Sequence, residues 1–152
     1  GNILHHTAKR GIKISAPGVL VKNNRILNPY SGDNHYLVTP NDQLPQDMYA
    51  AISVYAGDVT VSDNTIGGPG SFYAAIEANI ESSGGIVIER NLIESSDGQP
   101  FPGSSGIRLD QIGSFRITGN VITGAETPIR LSKEAKAALA SGEGTLTDNT
   151  AK

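Results

Sequence analysis

Five short stretches recur along this chain: Ile12-Lys13-Ile14-Ser15, Ile52-Ser53-Val54-Tyr55, Ile76-Glu77-Ala78-Asn79, Ile107-Arg108-Leu109-Asp110 and Ile129-Arg130-Leu131-Ser132. In each, two apolar residues flank a polar one, and another residue with a polar group stands two positions on. Apolar-x-apolar is the period of a strand with one buried face, so the second and fourth residues share the outer face. Stacked in chain order, they make two outward columns. One holds Lys13, Ser53, Glu77, Arg108 and Arg130; the other holds Ser15, Tyr55, Asn79, Asp110 and Ser132. Rungs about 4.8 Å apart make these side chains close neighbours. Glu77 and Asp110 fall on adjacent strands offset by two residues, roughly 7–8 Å apart at the backbone. The two carboxyls of inverting glycoside hydrolases stand about 6.5–9.5 Å apart, so the spacing permits an acid–base pair. Arg108 beside Arg130 opposes like charges, which destabilises a sheet. Asp110 relieves them, or the carboxylate of a uronic acid does, which arginine grips in bidentate fashion. The plainer alternatives are a cross-strand ion pair between Glu77 and Arg108, worth a few tenths to about one kcal/mol, and arginines lying over the surface with solvated heads.

The elements that must hold this strip are set by an internal repeat. Asn2, Asn24, Asn64, Asn91, Asn120 and Asn149 are spaced by 22, 40, 27, 29 and 29 residues. Three residues before the later five stand Val21, Val61, Ile88, Ile117 and Leu146; two after the first five stand Leu4, Ile26, Ile66, Ile93 and Ile122. Each unit therefore carries three short strands and three bends. One such unit cannot bury its own apolar face, but stacked units bury a continuous core. The spacing predicts an all-β fold, a parallel β-solenoid of about five turns, with residues 1–152 forming one domain. Each asparagine is expected at a sharp bend, adopting left-handed backbone geometry and bonding its stacked neighbours.

The run Val-x-Val-x-x-Asn-x-Ile, as in Val59–Ile66, resembles the repeat of the right-handed parallel β-helix (pectate-lyase-like) superfamily. That superfamily includes polysaccharide lyases, alginate epimerases and bacteriophage tailspikes. The resemblance covers nearly the whole chain. It implies a right-handed helix with a glycan groove over a strip such as the one above, and an extracellular, periplasmic or virion-surface location. It leaves open an enzyme that cleaves an acidic polysaccharide and a non-catalytic solenoid, such as a tailspike or adhesin segment. On the enzyme reading, Glu77, Asp110 and Arg108 are the catalytic candidates; Tyr55, Asn79, Arg130 and Lys13 are the substrate-binding ones. Tyr30, Asp33 and His35 share the Tyr-x-x-Asp-x-His spacing of an alginate epimerase motif, with different residues between.

Three departures from the repeat stand out. Residues 29–50 and 94–106 read as excursions that would wall the strip into a groove. Residues 132–142 read as a helix, with Ser132 as N-cap, Glu134 in the first turn and Gly142 as stop. Leu4 and Leu146 would lie near open rungs, which predicts a fragment or module of a longer protein and leaves end-to-end or trimeric self-association open.

Composition sets the outer limits. The chain has 152 residues, no Cys, three His and a net charge of −3. Disulfides and thiolate metal sites are excluded. The charge makes no case for nucleic acid or anionic membranes, and no apolar run reaches membrane-spanning length. The scattered histidines make no zinc signature; Asp33, Asp42 and Asp47 offer acidic side chains without calcium-ligand spacing. No cofactor is called for. Leu20, Thr60, Val87, Arg116 and Thr145, outward on the second strand of each unit, are too mixed for an ice-binding ladder.

Overall fold

The structure is a computed structural model, and it describes residues 1–5, 7, 10–27, 50–68, 74–81, 84–95 and 104–152. Sixteen strands and one helix are found among them. The chain begins β1 (Ile3–His5), β2 (Ile12–Ile14), β3 (Leu20–Lys22), β4 (Arg25–Leu27), β5 (Ile52–Val54) and β6 (Val59–Ser62). It continues through β7 (Thr65–Gly68), β8 (Ala74–Ala78), β9 (Ile86–Glu89), β10 (Leu92–Ser95), β11 (Ser105–Leu109) and β12 (Phe115–Thr118). It ends with β13 (Val121–Thr123), β14 (Thr127–Leu131), helix α1 (Lys133–Ser141), β15 (Gly144–Thr147) and β16 (Thr150–Ala151).

Every third strand joins the same sheet, and all the pairings are parallel. Sheet A is β1-β4-β7-β10-β13-β16, sheet B is β14-β11-β8-β5-β2, and sheet C is β15-β12-β9-β6-β3. The chain is a right-handed parallel β-helix of three strands per turn. At about 4.8 Å per rung, five turns rise roughly 24 Å.

The register follows the apolar period. Ile12, Ile52, Ile76, Ile107 and Ile129 are direct cross-strand partners along sheet B. Ile26, Ile66, Ile93 and Ile122 do the same along sheet A. Val21, Val61, Ile88, Ile117 and Leu146 stack in sheet C. Most of these side chains are fully buried; Ile12, Ile129, Leu146 and Leu4 are half-buried at the margins of the same core.

The asparagines form a ladder up one corner of this core. From Asn2 to Asn120, each backbone N–H and each side-chain Nδ2 donates to Oδ1 of the next asparagine, at 2.9–3.0 Å. From Asn64 onward, Nδ2 also donates to a carbonyl of the preceding turn, such as Val61 O from Asn91. The expected left-handed geometry belongs to the residue before each ladder member from Asn24 onward. Asn23, Asp63, Arg90, Gly119 and Asp148 have φ of 58°, 55°, 52°, 65° and 55°. The preceding residue makes the bend, which leaves the asparagine free to point inward and bond along the axis.

Candidate functional site

The two outward columns form as expected on sheet B. Lys13 pairs with Ser53, Ser53 with Glu77, Glu77 with Arg108, and Arg108 with Arg130. The second column is tied by backbone bonds one residue past each strand, at 2.9 Å: Tyr55 N–H to Ile14 O, Asn79 N–H to Val54 O, Asp110 N–H to Ala78 O and Ser132 N–H to Leu109 O. All seven candidate residues thus lie on one strip.

The strip is not the open, solvated face that strand period alone suggests. Ser53 is fully buried and Glu77 is 3% exposed. Arg108 and Asp110 are partly covered, while Lys13 and Arg130 are exposed. The expected Glu77–Arg108 ion pair does not form. Instead Arg108 Nε donates to Asp110 Oδ2 at 2.8 Å, two residues along its own chain. Asp110 is therefore the anion that offsets the adjacent arginines, and Glu77 keeps a carboxyl with no salt-bridge partner among the described residues. Its Oε2 is buried and accepts no hydrogen bond; Oδ1 of Asn79 and Oγ of Ser105 are in the same state. Buried polar atoms in native folds are nearly all bonded, so the two on the outer face, Glu77 Oε2 and Asn79 Oδ1, need an explanation.

Burial raises the Glu77 pKa above the usual glutamate value, and the Asp110 charge adds to this. Arg108, Arg10 and a hydrogen bond from Tyr55 pull the other way without reversing it. The Tyr55 hydroxyl is raised too, first by burial and then by the charge of Glu77. The strip therefore holds two weak acids biased toward their protonated forms, beside a formed Arg–Asp pair and two exposed cations. Chemically, it can donate a proton and grip an anion.

Arg10 belongs to this cluster and is missed by the strand pattern, because it sits in the bend before β2. Its Nη2 donates to the Tyr55 hydroxyl at 3.3 Å, and its Cζ lies 5.9 Å from the ring centroid. Lys13 Nζ lies 5.5 Å from the same centroid. Its one sequence signal is a cation next to the first strand. Beyond Asn79 and Asp110, an open cavity of about 400 Å³ continues past the end of the strip, lined by Ile80, Glu81, Gln111, Ile112, Gly113 and Glu134.

The expected groove walls at 29–50 and 94–106 lie, in whole or in large part, outside the described residues. So do Tyr30, Asp33 and His35, the acidic residues Asp42 and Asp47, and His6. Among the described residues, no three His, Cys, Asp or Glu side chains converge as a metal cluster. No family model, no curated protein and no solved structure matches this chain.

Proposed function

We propose that the sheet B strip is a glycan site for an acidic polysaccharide, on a β-helix of the pectate-lyase-like kind. The observation that carries the reading is Glu77: a buried carboxyl without a salt bridge among the described residues, in file with Arg108 and Arg130. Arg130 and Lys13 supply exposed charge for a uronate, and Tyr55 supplies a ring already faced by cations. On the cleaving form of the reading, Glu77 gives its proton to the glycosidic oxygen. Asp110, held by Arg108, takes a proton from the attacking water, as in hydrolysis with inversion. A lyase would instead need one of Arg108 and Arg130 as base and the other to neutralise the uronate, and the Arg108 Nε bond to Asp110 leaves Arg130 for the base. The non-catalytic form, a tailspike- or adhesin-like binding solenoid, uses the same cations without the proton transfer. Such a glycan fits an extracellular, periplasmic or virion-surface location.

Calorimetry with oligouronides tests binding, and a reducing-end assay tests cleavage. Arg130→Ala and Arg108→Ala are each expected to weaken oligouronide binding by about 1.5–3 kcal/mol, the worth of a charge-assisted hydrogen bond. Arg130→Ala is the cleaner variant, since its side chain is exposed. Binding by both variants equal to that of the parent would end the glycan reading. Cleavage that survives Glu77→Gln and Asp110→Asn would remove the catalytic form and leave the binding form.

A further inference from the structure

Glu77 and Asn79 are alternate residues of one strand and its continuation, so they project from the same side of sheet B. The Asn79 N–H to Val54 O bond keeps that alternation in register past the end of β8. Each ends in a buried oxygen, Oε2 and Oδ1, that accepts no hydrogen bond among the described residues. With Glu77 ionised, both atoms are pure acceptors, and leaving them buried and unpaired is costly. A proton on Oε2 would turn one acceptor into a donor for the other.

We propose that Asn79 is a positioning residue for a proton carried by Glu77, with Glu77 Oε2–H donating to Asn79 Oδ1. The groups that face Glu77 support this arrangement. From β5 and its continuation come Ser53, whose hydroxyl is directed at Ala50 O at 3.5 Å, and Tyr55. From β11 and its continuation come Arg108 and Asp110, which bond each other at 2.8 Å. Arg10 approaches from the bend before β2 and donates to Tyr55 at 3.3 Å; Lys13 lies over the same ring. Arg108 bonds Asp110 and Arg10 bonds Tyr55, so the pull of both arginines on Glu77 does not reverse the effect of burial and of the Asp110 charge, which favour the neutral carboxyl. Asn79 fixes which oxygen holds the proton. That leaves Oε1 on the side of the Tyr55 hydroxyl, which hydrogen-bonds the carboxyl. The inference concerns the free protein, so it stands or falls apart from the glycan reading.

Infrared difference spectroscopy of the whole chain against Glu77→Gln isolates the Glu77 carboxyl. The expected result is a protonated C=O band that persists above the ordinary glutamate range. The band should move to higher frequency in Asn79→Leu, where the acceptor is gone, and should not move up in Asn79→Asp, which keeps an oxygen acceptor there. Asn79→Ala serves if Asn79→Leu does not fold. A carboxylate signature for Glu77 throughout that range overturns the proposal, as does a protonated band that ignores the loss of the Asn79 acceptor. Stability gives a second readout. A raised folded pKa means that the contribution of Glu77 is fully present below the ordinary glutamate pKa and is lost as pH rises through the raised value. Glu77→Gln, whose amide N–H also reaches Asn79 Oδ1, should abolish that loss; an unchanged slope counts against the proposal.

Discussion

Asn91 takes two hydrogen bonds on one oxygen, from the backbone and side chain of Asn64, and passes two on to Asn120. It is 1% exposed, so water cannot replace what a truncation removes. Asn91→Ala leaves the Asn64 N–H buried without an acceptor, and the expected cost is about 3 kcal/mol from the lost bonds and the orphaned donor. Asn2 is exposed and sits on the first rung, where among the described residues its side chain only donates. Asn2→Ala should cost less than about 1 kcal/mol. Urea denaturation of the two variants measures the difference, and equal losses would mean that the ladder is not the source of the cost. The ladder was legible because one residue type recurs at one place in each unit. Its bend geometry was not, because the left-handed position is filled by Asn, Asp, Arg and Gly in different turns, and a mixed column leaves no mark on spacing. Glu77 shows the same limit from another side. The strand period tells which way its side chain points, but whether that face is wet depends on what lies over it.

Among the elements, α1 was the most fully readable, because its signals are local. Ser132 Oγ accepts from the Ala135 N–H at 3.2 Å, Glu134 lies in the first turn, and Gly142 closes the helix at φ 85°. A small apolar face, Ala135 and Ala138, joins the core. The Ser132 hydroxyl also donates to the Asp110 carbonyl, which ties the start of the helix to the candidate site. Ser132→Ala therefore loses a cap and a contact to the adjacent turn, and the expected cost is about 1–2 kcal/mol by thermal or chemical unfolding. Ser132→Asp restores the cap but not the donor to Asp110, so it should recover only part of the loss; full recovery would mean that the Asp110 contact contributes nothing. The strands, by contrast, were legible only through comparison between turns. A run such as Ile107-Arg108-Leu109 names a strand by itself, but its partner is fixed only once Ile76 and Ile129 are seen at the same place in neighbouring units. Gly106 was not legible as a close approach: a Cβ there would stand 2.5 Å from Ile122 Cγ2 and 2.7 Å from Pro128 O, contacts that exist only after the corner is folded.

At the scale of the whole molecule, each strand bonds only the strands one turn above and below it. The surface repeats that logic: Lys22–Asp63, Arg90–Asp63 and Arg116–Glu89 are ion pairs that cross from turn to turn, and Arg90 also pairs with its neighbour Glu89. Hydrogen bonding from Arg90 holds the Asp63 carboxyl down to about 2, so the pairs that Asp63 makes with Arg90 and Lys22 stay charged at all but the most acid pH. Nearest-neighbour coupling of this kind makes stability a sum over turns and their interfaces, not a property of one undivided core. Ile88 tests the idea, since it is fully buried on β9, between Val61 on β6 and Ile117 on β12. Ile88→Ala should cost about 2–5 kcal/mol through lost burial and the cavity left behind. In a stack, that loss falls first on the adjoining turns. Hydrogen exchange should then show amides of β6, β9 and β12 losing the most protection, with β3 and β15 changing less because a turn stands between them and the defect. A loss spread evenly over all the strands of sheet C would instead mean that the turns open together as a single cooperative unit, and the additive picture of this β-helix would have to be given up.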